Sequence, residues 1–508
     1  MLLAHEILEK TSKDFFNKEV IVCENRRMLY KDLDEASTGL ANFLVSQGVN
    51  CGDRIGIFSN KNIEEIIAIF AILKIGCIFV HINPQFKEKQ LSYVISNCDI
   101  RVLFVNDMKA GILNKAFPES SPTELIIALT SDLPLNEIVF NKIYYLKNIL
   151  TESSKRKRLY NSVKENDIAS IIYTSGSTGM PKGVVVTHRI LYDSTIISAS
   201  VLNNNENDRL ISVTPFSFDG ALSQLFTSIL VGGTIVLQKS NFPKDIVKTL
   251  LSEKITGFHG VPSLWNILLQ NHSPFAKHGY SHLRYISIIG EAFSKKQLMK
   301  LKNILKDTDF FIMYGTTEAF RSTFLSPKDF ERKITSVGKP FPGVDISIVD
   351  AQNNTCRPGE IGEIVHKGVF ISPGYWNDPE KSNDIFKYNS LYTRDLGKID
   401  DEGYLYFLGR KDGMIKTNGY RVSPKEIEDC LYGIEEIKEV AITGTSDEMI
   451  GNKIKAVVVC RDENTLSPRD VISHCKKILP NYMVPEVVEF LDVLPKTSSG
   501  KINRSLLD

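Results

Sequence analysis

The chain has 508 residues, of which 43% are hydrophobic and 24% charged, the ordinary composition of a soluble globular protein. At roughly 100–200 residues per domain, this length is too great for one hydrophobic core, so we expect several packed units. The formal net charge of +1 excludes an electrostatic basis for binding nucleic acid or an anionic membrane. The eight cysteines are scattered without a CxxC pair, which indicates reduced thiols and not disulfides or zinc ligands.

The N-terminal residues predict a cytoplasmic protein. They run directly into a charged amphipathic segment, without the apolar core of a secretory signal. The longest apolar run, residues 66–80, is interrupted by Lys74 and Gly76, which is typical of a core helix leading into a strand. We therefore expect no transmembrane segment.

Short β-rich runs alternate with helical stretches over most of the chain. Arg54–Phe58 predicts a strand, residues 62–73 a helix with apolar residues three to four apart, and residues 77–81 another strand. Residues 101–105 and 125–129 repeat the strand pattern. Alternation of this kind is typical of mainly parallel sheets covered by helices.

A domain boundary is predicted at residues 409–413, which are charged and contain glycine. The preceding residues, 400–407, have the turn-rich pattern of a β-hairpin. A separate α+β pattern follows the boundary: a helix from Pro424, strands at 440–442 and 454–459, and a helix from Ser467. We predict two domains, residues 1–409 and 410–508, joined at a segment where a hinge is expected.

The most informative segment is residues 173–183, with the sequence YTSGSTGMPKG, which follows the β-rich run 168–172. Glycines let backbone N–H groups approach anionic oxygens, hydroxyls donate further hydrogen bonds, and Lys182 adds charge, so this loop can wrap a phosphate chain. It is not the common P-loop, because Pro181 stands where the second glycine belongs and Gly183 where Ser or Thr belongs. The alternative interpretation is a disordered Ser/Gly loop.

Three further segments carry residues suited to chemistry. Residues 314–318 (YGTTE) end in a carboxylate that suits Mg²⁺, although such a segment also occurs as a strand-to-helix cap. Residues 392–395 (YTRD) end in Asp395, an acceptor suited to ribose hydroxyls, with a surface Arg–Asp pair as the alternative. Residues 495–504 (PKTSSGKINR) contain Lys501, for which the alternative is a solvated basic tail.

Together these motifs resemble those of the adenylate-forming superfamily, which includes acyl-CoA synthetases, luciferases and the adenylation domains of non-ribosomal peptide synthesis. The resemblance extends over nearly the whole chain. It implies an α/β fold with a large N-terminal domain of helix-covered, mainly parallel sheets plus a distorted β-barrel, and a small mobile α+β C-terminal domain. It also implies ATP and Mg²⁺ as cofactors. Residues 362–364 and 374–376 fit a core motif of the family and are expected to be structural.

The resemblance assigns roles in the nucleotide site. Lys501 would bridge the substrate carboxylate and the α-phosphate in the adenylation transition state, where two anions meet and pyrophosphate leaves. Glu318 would hold Mg²⁺. Lys182 would add positive charge at the phosphates and is implied to be catalytic together with Lys501 and Glu318. The residues implied to bind ATP are Thr174, Ser175, Gly176, Ser177, Thr178, Gly179, Lys182, Gly290, Glu291, Ala292, Tyr314, Gly315, Thr316, Thr317, Asp395, Arg410 and Lys501.

The resemblance further implies that one active site serves two reactions in turn. Asp412 matches the hinge about which the small domain rotates after adenylation. Lys501 would then leave the site, and residues 419–421 would arrive to shape a tunnel for a pantetheine thiol. The implied acceptor is the phosphopantetheine of a carrier protein.

Residues 216–223 match the segment that opens the acid pocket of the family. Asp219 stands where amino-acid-activating members have the aspartate that pairs with the substrate ammonium. A carboxylate on a pocket wall is costly unless a cation meets it, which favours an amino acid as substrate. The alternative for Asp219 is a helix N-cap. The residues implied to line the pocket are Phe218, Asp219, Gly220, Ser223, His259, Ser287, Ile289, Met313, Arg321 and Ser322.

Arg321 narrows the substrate further. Its guanidinium stays charged and forks onto carboxylates, and with His259 and Ser287 it indicates a substrate that carries a second carboxylate. The arrangement resembles stand-alone enzymes that load β-amino acids of the 3-methylaspartate type onto carrier proteins. The alternative is that Arg321 points to solvent or makes a structural ion pair.

We therefore predict an amino acid–carrier protein ligase that forms AMP. Because the chain ends at Asp508, soon after the Lys501 segment, we expect the carrier protein to be a separate partner. Residues 81–84 (HINP) depart from the PIDP pattern usual in peptide synthetases, which puts the subfamily in doubt. One alternative is an acyl-CoA or aryl-CoA ligase that uses free coenzyme A, against which Asp219 argues. Another is an inactive scaffold, against which the joint presence of Lys182, Glu318, Asp395, Arg410 and Lys501 argues.

Overall fold

The computed structural model describes residues 3–117, 123–130, 142–152, 163–174, 180–270, 272–289, 295–410, 414–422, 424–461, 466–495 and 504–507. All eight cysteines lie in these ranges and are free thiols, as expected from their spacing. Among the helices of these ranges, none has the length and apolar character needed to cross a bilayer.

Helices and strands alternate along the chain, as the sequence predicts. The helices are α1 (Glu6–Asp14), α2 (Tyr30–Ser46), α3 (Ile63–Lys74), α4 (Glu88–Asn97), α5 (Asp107–Ala116), α6 (Leu146–Glu152), α7 (His188–Val201), α8 (Asp219–Leu230), α9 (Pro243–Ser252), α10 (Pro262–Leu268), α11 (Lys295–Ile304), α12 (Pro379–Ile385), α13 (Pro424–Leu431) and α14 (Pro468–Ile478).

The strands form four sheets within the described ranges. They are β1 (Glu19–Cys23), β2 (Arg26–Leu29), β3 (Arg54–Phe58), β4 (Ile78–His81), β5 (Val102–Val105), β6 (Leu125–Ala128), β7 (Lys142–Tyr145), β8 (Ile168–Thr174), β9 (Lys182–Thr187), β10 (Arg209–Ser212), β11 (Thr234–Leu237), β12 (Gly257–Gly260), β13 (Tyr285–Ile289), β14 (Asp309–Tyr314), β15 (Thr323–Leu325), β16 (Lys339–Pro340), β17 (Val344–Val349), β18 (Gly362–Gly368), β19 (Phe386–Lys387), β20 (Ser390–Ile399), β21 (Leu405–Arg410), β22 (Ile415–Thr417), β23 (Tyr420–Val422), β24 (Ile437–Asp447), β25 (Gly451–Cys460) and β26 (Val487–Phe490).

The first sheet has seven strands in the order β7-β6-β5-β3-β4-β8-β9, and its neighbours are parallel except for β8 and β9. Helix α3 begins at a capping box, in which the Asn62 side chain accepts a hydrogen bond from the backbone N–H of Glu65. The helix is buried along nearly its whole length, which explains why its sequence is apolar on every side.

The second sheet has nine strands in the order β16-β15-β14-β13-β12-β10-β11-β1-β2. Its central strands, from β14 across to β1, run parallel to their neighbours. The register sets His259 of β12 opposite Ser287 of β13, and Ile289 of β13 opposite Met313 of β14. Because parallel strands end at a common edge, these side chains gather where ligands bind open α/β sheets.

The third sheet is antiparallel. It has five strands, in the order β17-β18-β20-β19, with β21 paired to β20. The hairpin predicted at residues 400–407 joins β20 to β21. Asp400 closes its turn by accepting hydrogen bonds from the backbone N–H groups of Glu402 and Tyr404.

The residues from Met414 onward form a fourth sheet with its own hydrophobic core. Its strand order is β23-β22-β25-β24, and β26 runs parallel to β25. Helices α13 and α14 contribute Ile427, Leu431, Val471 and Cys475 to this core. A separate core fits the small α+β unit expected from the sequence. The boundary between residues 409 and 410 stays a prediction, because residues 411–413 lie outside the described ranges.

Candidate active site

Residues from both parallel sheets and from the C-terminal unit line a cleft of about 1300 Å³, open solvent included. The ends of the predicted phosphate loop lie there. β8 and β9 form a hairpin in which Thr174 is the cross-strand partner of Lys182, and both residues line the cleft. Lys182 Nζ lies 5.2 Å from the centroid of the Tyr375 ring. The predicted ligands Ser175, Gly176, Ser177, Thr178 and Gly179 lie outside the described residues.

Residues 315–318 follow β14 and line the same cleft. They lead through turns to β15 and not into a helix, so the helix-cap alternative for this segment is wrong. Glu318 accepts a hydrogen bond of 2.8 Å from Tyr375 Oη. Thr316 is buried, and its Oγ1 has no hydrogen-bond partner among the described residues. A buried hydroxyl without a partner is unfavourable, so Thr316 is suited to bonding a ligand in the cleft.

Glu318 is also placed to hold a divalent cation. The described residues contain no group of three or more His, Cys, Asp or Glu side chains that could hold a metal. A single carboxylate suits Mg²⁺, which takes most of its remaining oxygen ligands from phosphates and water. Glu318 and Lys182 both contact Tyr375, so this residue lies next to the candidate cation ligand and to the phosphate-loop lysine.

The predicted ribose residue Asp395 is fully buried and accepts a hydrogen bond of 2.8 Å from Tyr314 Oη. The surface-pair alternative is wrong, because the exposed ion pair here joins Arg394 to Asp384. Arg410 is the cross-strand partner of Asp395. Tyr314 and Asp395 lie beside the cleft and do not line it. Gly290, Glu291 and Ala292, predicted at the adenine edge, lie outside the described residues.

A second, smaller cavity of about 340 Å³, open solvent included, adjoins the cleft. Gly220 and His259 line both spaces and therefore form the wall between them. A Cβ at position 220 would lie 2.7 Å from His259 Nε2, so glycine is needed for the ring to lie there. Phe218, Asp219 and Ile289 face the cleft, whereas the small cavity contains the predicted pocket residues Ser223, Ser287, Met313 and Arg321.

Two opposite charges flank this wall. Arg321 is 4% exposed, and its Nη1 donates a hydrogen bond of 3.1 Å to the Phe320 carbonyl. Burial lowers the pKa of Arg321, and the Asp219 carboxylate opposes that shift. The alternative of a solvent-facing Arg321 is wrong, because the side chain is buried beside the pocket.

His259 adds no positive charge to the pocket near neutral pH. Burial, and then the charge of Arg321, lower the pKa of His259 to about 3. Its Nδ1 shares a hydrogen bond of 2.8 Å with Ser287 Oγ. Arg321 is therefore the cation of the small cavity, and the imidazole is a neutral hydrogen-bonding group.

The alternative for Asp219, a helix N-cap, is also wrong. Helix α8 begins at Asp219 itself, and Phe218 occupies the N-cap position. The carboxylate lies in the first turn, where the positive end of the helix dipole stabilises a negative charge. It faces the cleft and lies near a buried guanidinium, which suits the binding of a ligand that carries both charges.

Ser322 departs from the predicted pocket set. Its side chain is buried away from both cavities, with its Oγ 3.0 Å from His366 Nδ1. His366 Nε2 donates to the Val369 carbonyl, so Nδ1 accepts from the serine hydroxyl. Adjacent residues of an extended chain point to opposite sides, so Arg321 and Ser322 cannot both face the pocket.

Two buried histidines predict a loss of stability on mild acidification. Burial lowers the pKa of both His188 and His366 to about 4. The unfolded chain binds a proton near its ordinary pKa of about 6.5, so the unfolded state gains relative stability as the pH falls below that value. Between pH 7 and pH 5 each histidine should cost about 2 kcal/mol of unfolding free energy. Urea unfolding of wild type and His366→Asn at both pH values checks this, since the variant should show the flatter dependence. If wild type and His366→Asn lose the same unfolding free energy between pH 7 and pH 5, His366 does not contribute to the pH dependence.

Part of the C-terminal unit packs on the side of the cleft that Phe218 and Asp219 line, which we call the acid side. Tyr420 lies edge-on to Phe218, with ring centroids 5.1 Å apart, and stacks on Tyr482 at 3.7 Å. Gly419, with φ of +79°, brings the backbone so close that a Cβ would meet Val261 at 3.2 Å. The segment implied to shape the pantetheine tunnel therefore lies at the cleft in this structure. Lys501 and the predicted hinge residue Asp412 lie outside the described residues.

Several cleft-lining residues, including Tyr375 and Asn83, are absent from the predicted site residues. Tyr375, expected to be structural, bonds Glu318 and lies under Lys182. Asn83, noted only as a departure from a strand-end pattern, lines the cleft together with Tyr420. Neither residue carries a local signal, because each lies in the cleft with residues that are far away in the chain.

The family model described as AMP-binding enzyme matches residues 8–376, and the model described as AMP-binding enzyme C-terminal domain matches residues 426–501. Gramicidin S synthase 2 of Aneurinibacillus migulanus is 30% identical over 99% of this chain, which spans only 11% of that protein. The long-chain-fatty-acid–CoA ligase of Yersinia pestis is 28% identical over 98% of this chain and 92% of the ligase.

Among solved structures, a double mutant of o-succinylbenzoate CoA synthetase from Bacillus subtilis, bound with its product analogue, aligns with a TM-score of 0.84. The two chains are 25% identical, and the alignment covers 99% of this chain and 97% of that one. This likeness confirms the predicted fold class, a large domain of mainly parallel sheets with a small C-terminal domain. The chain belongs to the AMP-binding enzyme family.

Proposed function

We propose that this enzyme uses ATP and Mg²⁺ to convert an amino acid with a second carboxylate, aspartate-like or a β-amino acid such as 3-methylaspartate, to its aminoacyl-AMP. The aminoacyl group then passes to the phosphopantetheine thiol of a separate carrier protein in the cytoplasm. The observation that carries the proposal is the pair of opposite charges at the acid pocket, Asp219 on the cleft side and buried Arg321 in the small cavity.

The first half-reaction rests on the nucleotide side of the cleft. Lys182 and the loop it closes would bind the phosphates, Glu318 would hold Mg²⁺, and Thr316 would donate or accept a hydrogen bond there. Asp395, with Arg410, would bind the ribose. Lys501 would enter from the C-terminal unit to stabilise the charge that develops as the carboxylate attacks the α-phosphorus. When bound, Mg²⁺ neutralises charge on the phosphate oxygens.

The charges of the acid pocket favour a substrate that is itself zwitterionic and carries one further anion. A buried guanidinium penalises an apolar acid, because such a ligand leaves the cation desolvated without a new partner. With His259 neutral, a second substrate carboxylate would meet Arg321 alone as its counter-charge, while the substrate ammonium would meet Asp219. The small volume of the second cavity favours a short side chain.

The second half-reaction rests on the Gly419–Tyr420 segment. Its packing against Val261 and Phe218 supports an arrangement in which the C-terminal unit shapes the acceptor side of the cleft. We propose that the two domains, residues 1–409 and 410–508, pivot at Asp412 between this arrangement and one that delivers Lys501.

The competing candidate is a ligase that uses free coenzyme A. The likeness of this chain to CoA ligases favours that candidate.

The choice of acceptor is tested by single-turnover transfer. With the aminoacyl-AMP preformed on the enzyme, we expect holo-carrier protein to be acylated at a rate at least about tenfold above that with equimolar coenzyme A, because protein contacts add to those of pantetheine. Apo-carrier protein, which lacks the thiol, is the control. If coenzyme A is acylated faster than every holo-carrier protein tested, the proposal is contradicted and the enzyme is a ligase that uses free coenzyme A.

A further inference from the structure

Two helices, α7 and α8, contribute to the lining of the small cavity. Four residues of α8 line the cavity: Gly220, Ser223, Gln224 and Thr227. Gly220 lies three and four residues before Ser223 and Gln224, and Thr227 lies four and three residues after them, so the four form one face of the helix. Ser198 of α7 also lines the cavity. Thr227 and Ser198 are not among the residues that the sequence motifs assign to the pocket.

Two hydroxyls of this lining have no hydrogen-bond partner among the described residues. Ser198 Oγ and Thr227 Oγ1 are both in this state, although their residues are only 3% and 2% exposed. Neighbouring hydroxyls on α7 behave differently: Thr195 Oγ1 donates a hydrogen bond of 2.6 Å to the carbonyl of Leu191, one helical turn back. Buried polar groups are nearly always paired, so two unpaired hydroxyls lining one cavity point to a ligand.

The cavity has one cation and an excess of hydroxyl groups. A carboxylate has about four acceptor sites, and the Arg321 fork can satisfy two of them. His259 is already engaged with Ser287 and is neutral, so it supplies no second charge. A buried carboxylate at Arg321 therefore needs further donors, and rotating Ser and Thr hydroxyls can provide them.

We propose that Ser198 and Thr227 donate hydrogen bonds to the second carboxylate of the substrate and so determine specificity for dicarboxylic amino acids. This inference rests on the proposed function, because it requires that such a substrate enters the cavity. It assigns Ser198 and Thr227 a role in recognition that is distinct from the charge pairing at Arg321.

The test is steady-state ATP–pyrophosphate exchange with L-aspartate, L-glutamate and 3-methylaspartate, and with 2-aminobutyrate as the monocarboxylic counterpart. Thr227→Val and Ser198→Ala should each raise the KM of the preferred dicarboxylic amino acid about tenfold, the usual effect of losing one hydrogen bond to a charged group. The KM values for ATP and for 2-aminobutyrate should stay unchanged. Thr227→Ser, which keeps the hydroxyl, should retain most of the wild-type affinity.

Thr195→Val is the matched control, since it removes a buried threonine hydroxyl on α7 that is bonded within its own helix. It should leave every KM unchanged. If wild type prefers a dicarboxylic amino acid but Thr227→Val and Ser198→Ala have the wild-type KM for it, the inference fails and the proposed function stands. A uniform rise in KM for all acids would assign the hydroxyls a structural role and also overturn the inference. If wild type activates none of the dicarboxylic amino acids, both fail.

Discussion

Arg321→Leu is expected to depress adenylation of the dicarboxylic substrate by up to about 10⁴–10⁵-fold relative to neutral amino acids such as alanine or 3-aminobutyrate. The side chain is buried at the small cavity, so its removal leaves a second carboxylate without a counter-charge. Asp219→Asn, which keeps the shape and removes the charge, should lower activity on every amino acid, because the ammonium loses its partner. Pyrophosphate exchange over a panel of acids measures both effects.

Ser322→Ala is the control for Arg321→Leu, because this neighbour faces His366 and not the pocket. Its substrate ranking should equal that of wild type. Thermal stabilisation by ATP, measured on each variant, separates a change of specificity from a failure to fold. An unchanged ranking in a folded Arg321→Leu variant would mean that the guanidinium serves the structure alone.

Lys501→Ala is expected to lower aminoacyl-AMP formation by roughly 10²–10³-fold while leaving thioester formation from supplied aminoacyl-AMP largely intact. The lysine is proposed to enter the site only for the first step. In the structure the acid side of the cleft is occupied by Gly419 and Tyr420 of the same C-terminal unit. Separate assays of pyrophosphate exchange and of single-turnover transfer measure the two steps.

Lys501→Arg is the matched variant, since it keeps the charge but changes the shape of the head group. Partial recovery of adenylation is expected. Equal losses in both half-reactions would contradict alternate use of the cleft by the two segments. If Lys501→Ala forms aminoacyl-AMP at the wild-type rate, Lys501 has no part in the adenylation step.

The fold was predictable because its periodicities are strong and local. The strand Arg54–Phe58 was placed with its observed bounds, and α3 was placed within one residue at each end, since apolar runs bounded by turns define such elements. Strand β24 was underestimated, because its run of consecutive apolar residues covers only 440–442 and the rest is defined by its pairing along β25. Pairing of this kind is decided by the neighbouring strand and not by the segment itself.

The part of the acid pocket that depends on the register of neighbouring parallel strands was predictable from the sequence. His259 and Ser287 share a parallel register, which explains why two distant segments meet with a hydrogen bond. The orientation of Ser322 was not predictable from a motif, because it depends on which face of the chain Arg321 takes. The roles of Tyr375 and Asn83 were missed for a similar reason: Glu318, which Tyr375 contacts, and Tyr420, which lines the cleft together with Asn83, come from other parts of the fold.

The central claim, that a pocket with two opposite charges selects an amino acid with a second carboxylate, is tested most directly on the wild-type enzyme with three acids. Pyrophosphate exchange should be measured with 3-methylaspartate, with 2-aminobutyrate, which lacks the second carboxylate, and with methylsuccinate, which lacks the ammonium. We predict that kcat/KM for 3-methylaspartate exceeds both others by at least about 10³-fold, because each analogue leaves one buried charge unpaired. A higher kcat/KM for 2-aminobutyrate or methylsuccinate than for any dicarboxylic amino acid would contradict the account.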